Sequence, residues 1–97
     1  MKSKIQTIIN LLQKKHALNP YNTYVVISLQ SLQLKLFTMN DPETVHYFRV
    51  IFPNGFFPYS NVLINTDYTN IKYINYLEGI FELPFEEILN QIIIRLW

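Results

Sequence analysis

Apolar residues change their spacing twice along this chain, and that change limits the architectures open to it. In residues 3–17, SKIQTIINLLQKKHA, Ile5, Ile8, Ile9 and Leu12 recur at helical intervals, with Lys4, Gln6, Asn10, Gln13 and Lys14 mostly opposite. Ser3 and Gln6 have the spacing of a capping box. Asn19-Pro20 ends the element, because proline disfavours helical backbone in the residue before it. From Tyr24 the period becomes that of a strand. Tyr24, Val25, Val26 and Ile27 are strand formers, and Leu32, Leu34 and Leu36 alternate with Gln33 and Lys35.

This stretch predicts two strands, about 22–29 and 32–38. Gln30-Ser31 between them is poor hairpin chemistry, so a bulge is one expectation there. Asn40-Asp41-Pro42-Glu43 is a clearer turn. A third strand, TVHYFRVIF, has apolar or aromatic residues on both faces, as expected of a central strand covered on two sides. NVLIN, residues 61–65, makes a short fourth. From Thr69, a residue suited to an N-cap, the helical period returns: Ile71, Ile74, Leu77 and Phe81 form one stripe, widened by Tyr73 and Tyr76, with Gly79 weakening the middle. Pro84 suits the first turn of a last helix, Glu86 and Glu87 its positive end and Arg95 its negative end. Phe85, Ile88, Leu89, Ile92 and Leu96 would face the core.

The order is α-β-β-β-β-α-α. It specifies a single α+β domain over residues 1–97, with an antiparallel meander of three or four strands and helices packed on one face. At 97 residues an ordinary hydrophobic core can hold such a domain without staples. The longest apolar runs are three residues, as in Ile92-Ile93-Ile94, far short of the ~20 needed to span a bilayer. With no signal-peptide pattern at its start, the chain reads as soluble and intracellular, in cytoplasm or nucleus.

Composition bears on what the surface can do. Charged residues are 15% of the chain against a usual share of roughly 25%, while 49% are hydrophobic. So sparse a charge leaves apolar area exposed and favours a partner or a homodimer. The net charge of +1 also hides an asymmetry: residues 1–40 carry five lysines and no acid, and residues 41–97 carry three bases against seven acids. One explanation is structural, with a basic first helix lying near acidic later helices of the same domain. The other is a nucleic-acid face built from Lys2, Lys4, Lys14, Lys15 and Lys35, with tyrosines stacking bases. Against the second stand the sequence pI of about 8.0 and the lack of any known RNA-binding strand motif.

Most catalytic constellations find no support. The chain has no cysteine, which removes disulfides, thiolate metal sites and cysteine nucleophiles. His16 and His46 stand outside any metal-ligand spacing, no Gly-x-Ser-x-Gly elbow frames Ser28, Ser31 or Ser60, and two glycines, Gly55 and Gly79, make no phosphate-cradling loop. Glu86 and Glu87 are adjacent and so point about 100° apart on a helix, and their helix-start placement explains them. No cofactor, metal or membrane partner is expected, and no enzyme activity.

The stretch YFRVIFPNGFFPYSNVLINT, residues 47–66, resembles the strand–loop–strand signature of ubiquitin-conjugating-like and RWD domains. Phe52-Pro53 matches the first pair of that signature, Phe56 stands at its aromatic position, and Val62-Leu63-Ile64 occupies the strand that follows. Phe57 stands where the turn proline should be, with Pro58 one place late. Tyr68-Thr69-Asn70 falls near the His-Pro-Asn of catalytic members, but only Asn70 matches. Without a cysteine to carry a thioester, the resemblance implies a non-catalytic relative, and such relatives act as protein-interaction domains.

Protein binding, within a homodimer or larger assembly, is therefore the function expected. A small viral or mobile-element protein that binds and blocks a host factor is an alternative, and the nucleic-acid module another. Phe56, Phe57 and Tyr59 in the Pro-rich turn, and Ile93, Ile94 and Trp97 beyond what one buried stripe requires, are the candidate interface residues.

Overall fold

A computed structural model describes residues 2–15, 24–39, 47–53, 61–65 and 71–97. Helix α1 spans Lys2–Asn10 and continues as a π-helical turn over Leu11–Lys15. Strands β1 (Val25–Leu29), β2 (Leu32–Met39), β3 (Tyr47–Ile51) and β4 (Asn61–Asn65) follow, then helices α2 (Ile71–Phe81) and α3 (Phe85–Leu96). The strands form one antiparallel sheet in the order β1-β2-β3-β4, the meander the sequence predicts. Within the described residues β3 ends at Ile51, one residue before Phe52, and Thr44, Val45, His46, Thr69 and His16 lie outside the described residues.

Register decides which side chains reach the core. Ile27 pairs with Leu34 and Leu36 with Val50, and residues directly opposite share a face. That face buries Ile27, Leu29, Leu34, Leu36, Val50, Phe52 and Ile64 against the helices. From the helical side come Ile5, Ile8, Ile9 and Leu12 of the first helix and its π turn, all fully buried, with Leu77 and Phe81 of α2. The whole predicted stripe of α3, Phe85, Ile88, Leu89, Ile92 and Leu96, joins them. Truncating a residue such as Ile8 to alanine would cost about 2–5 kcal/mol, the lost burial plus the cavity left. At the end of β3 the Phe52 ring meets Tyr76 edge-on at 6.1 Å and Phe81 at 6.2 Å, which ties sheet to α2.

Several local expectations are corrected. Gln30 and Ser31 form no bulge: Leu29 pairs with Leu32, and both turn residues take positive φ, 49° and 70°. This is a two-residue hairpin of the kind that matches strand twist, reached here without the usual Asn-Gly. α1 begins at Lys2, so Ser3 lies inside the helix, and Gln6 donates its amide to Asn10 Oδ1 at 3.1 Å. Pro84 is the N-cap residue of α3 and not its first helical residue; its carbonyl accepts from Glu87 and Ile88. Ile71 leaves the α2 stripe and is 68% exposed. Finally, the described helices all pack on one face of the sheet. The outward residues of β3, Arg49 and Ile51, are only half-buried, so the two-sided apolar pattern does not mark cover by helices on both sides.

Candidate interaction surfaces

Three described surfaces leave apolar side chains open. The first is the back of α3. Its buried stripe uses one side of the helix, and Ile94, two residues beyond Ile92, falls on the opposite side at 100° per residue. Ile94 is 66% exposed and Trp97, at the helix end, 75%. Ile93 differs from the expectation that grouped it with them: it is half-buried and packs against the core.

Charged groups frame this back face unevenly. At its start Lys4 Nζ lies 3.6 Å from Glu86 Oε2, and at its end Lys15 Nζ sits 5.5 Å from the centre of the Trp97 ring. Since Lys4 meets residue 86 and Lys15 meets residue 97, α1 with its π turn runs parallel to α3. The acids of α3 therefore stand at one end and exposed Lys14 and Lys15 at the other. Glu87 is held below the usual carboxylate range by hydrogen bonds from the Gln91 and Asn90 amides, at 2.9 and 3.4 Å, with the Lys4 charge adding to them against a small desolvation cost. Arg95 turns the other way. It donates its Nε to the Ser28 carbonyl of β1 and its Nη1 to Gln91 O and Oε1, at 3.0 and 2.7 Å. In a two-residue hairpin the even-numbered residues of β1 direct their backbone groups away from β2. Arg95 thus occupies one open acceptor on the sheet's edge.

The second surface is the face of the sheet turned away from the helices. Val26, Lys35 and Ile51 are consecutive partners across β1, β2 and β3, and with Gln33 and Pro53 they border a hollow of about 320 Å³. Tyr24 and Val26 are each half exposed. Lys35 lies over the Tyr24 ring at 4.6 Å and Arg49 over the Phe37 ring at 5.4 Å. Arg49 Nε is buried with no hydrogen-bond partner. None of the strands carries an acid, so this face is basic and apolar together. Sequence reading missed it as a surface. The alternation of Gln33, Lys35 and Phe37 with the leucines of β2 was the available signal.

A further groove of about 330 Å³ runs between α2 and α3, bordered by Ile71, Ile74, Glu78, Pro84 and Glu86. Glu78 is not free for a ligand there, because its Oε2 accepts from the Phe85 N–H at 2.8 Å.

The remaining expected site residues are placed as follows. Phe56, Phe57 and Tyr59 lie outside the described residues, as does the side chain of Lys2. The described lysines expected to track phosphates do not form one cluster. Lys4 is engaged with Glu86, Lys14 and Lys15 lie at the far end of the helical layer, and Lys35 is on the opposite face of the sheet. The strand's alternation sends Lys35 away from the helices, which breaks up the footprint. Among the described residues no group of three or more His, Cys, Asp or Glu side chains is arranged to hold a metal ion. No described helix is long and apolar enough to cross a membrane. In comparisons with known proteins, the chain matches no protein-family model, no curated protein and no solved structure.

Proposed function

We propose that this chain is a protein-interaction domain without a catalytic role, and that it self-associates. The observation that carries the reading is the pair Ile94 and Trp97, both largely exposed at one end of a helix whose other apolar residues are buried or half-buried. Burial of large aromatic and aliphatic side chains is the main source of affinity at protein interfaces. Two side chains of this size expose on the order of 300 Å² of apolar area, less than the ~800 Å² per partner of a standard interface. The association is therefore weak and reversible, in the micromolar range. The resemblance of residues 47–66 to RWD domains belongs to the same reading, since it too implies binding without catalysis.

Light scattering on the purified chain tests this. The apparent mass should rise from monomer toward dimer as concentration passes through about 10–100 μM, a range set by so small an interface. Ile94→Glu should hold the chain monomeric throughout. A wild-type chain that stays monomeric over the same range would overturn the reading.

A further inference from the structure

We infer that two copies of this chain pair through the backs of their α3 helices, antiparallel about a two-fold axis, with Lys14 and Lys15 of each copy set against Glu86 and Glu87 of the other. This rests on the self-association proposed above and names its geometry.

Symmetry and charge both lead to it. A closed dimer is isologous, so the same patch must be complementary to itself. Along α3 the patch differs in charge from end to end: Glu86 and Glu87 lie in the first turn, where Lys4 offsets one of the two acids, and Lys15 lies over Trp97 after the last. A parallel pairing would set acid against acid and lysine against lysine. The antiparallel pairing sets each acidic end against a basic end, twice, by the same rotation. The helix dipoles agree, since antiparallel neighbours place opposite helix ends together.

The axis that exchanges two antiparallel helices is perpendicular to the plane containing both. It therefore keeps the α1 side of one copy beside the α1 side of the other. Lys15 and Glu86 both lie on that side, since each is placed beside the opposing α1 or α3 residue within one chain. They consequently meet across the dimer. At 1.5 Å per residue α3 is about 18 Å long, so an axis near its middle brings residue 97 of one copy level with residue 86 of the other. Ile94 then lies against Asn90 of the second copy, with Trp97 closing each end.

Area is consistent with a second copy as the occupant. Ile94 and Asn90 occupy the middle, and Trp97 and Lys15 meet Glu86 of the other copy at each end. The pair would bury on the order of 1,000 Å² in total, the low end for a specific interface. The outer sheet face offers no comparable self-match, because its charged residues, Lys35 and Arg49, are both basic.

Charge reversal tests the geometry with the whole chain. Lys15→Glu alone should weaken self-association about tenfold, because two symmetry-related contacts change sign. Glu86→Lys alone should do the same. When the two variants are mixed, the acid introduced in one faces the base introduced in the other. The unchanged Lys15 and Glu86 meet at the second contact, so a mixed dimer should form with an affinity within about twofold of wild type. The mixture also guards against misfolding, since a damaged variant could not rescue its partner. Failure of the mixture to associate better than either variant overturns the antiparallel geometry, as does wild-type dimerisation by each variant alone. A wild-type chain that is monomeric at every concentration instead removes the self-association beneath it.

Discussion

Thr38 has a side chain at odds with its surroundings. It is 2% exposed on the core face of β2, yet its Oγ1 has no hydrogen-bond partner. An unpaired buried hydroxyl costs about 1–3 kcal/mol, and valine fills the same shape without it. Thr38→Val should therefore raise the unfolding free energy in urea by about 1 kcal/mol. A loss of stability would mean that the hydroxyl is satisfied. Nothing in the alternation of β2 singles Thr38 out, because a threonine at a core position reads like any other strand former. The turn at Gln30 and Ser31 was hidden for a related reason. Its positive φ angles are imposed by the pairing of Leu29 with Leu32, and tertiary pairing can force a conformation that local preference disfavours. Ile71 and Ile93 show the same limit from the other side: apolar spacing locates a stripe, but the neighbours of each residue decide how far it is covered.

At the scale of elements, the helices and strands were largely legible because each carries a clean period. Ile5, Ile8, Ile9 and Leu12, and the five residues of the α3 stripe, are buried as their spacing requires. The junction between α2 and α3 was not legible, since it depends on a contact seven residues apart. α2 ends at Phe81, and Glu82 follows at φ 52°, in the conformation usually given to glycine after a helix. Pro84 provides no side-chain cap for α3. Glu78 does so from the preceding helix by accepting the Phe85 N–H. Glu78→Ala should cost about 1 kcal/mol of stability, the usual worth of a cap, and Glu78→Gln less, because an acceptor remains. One residue on, Gly79 has nothing within 4 Å of where a Cβ would stand, so Gly79→Ala should gain about 0.5–1 kcal/mol. Thermal melts of the three variants check both. A destabilising Gly79→Ala would show that the bare backbone there is in use.

At the scale of the whole molecule, the split between a basic first part and an acidic remainder has a partial structural basis. Lys4 lies against Glu86, so some of the N-terminal charge is met within the domain. Lys14 and Lys15 are exposed and lie across the sheet from Lys35, which a linear count of lysines could not reveal. The low charge content did forecast open apolar surface, and Ile94 and Trp97 were singled out by their excess over the buried stripe. The outer sheet face went unnoticed because residues shared among three strands become neighbours only once the register is known. Trp97 offers a direct test of the proposed self-association, since it is the only tryptophan in the chain and 75% exposed in the single copy. Its fluorescence should shift to shorter wavelength as concentration rises through the range where the mass doubles, because the indole leaves water. Emission that stays at the wavelength of a solvated indole while the mass doubles would contradict the proposal, and would place the interface elsewhere.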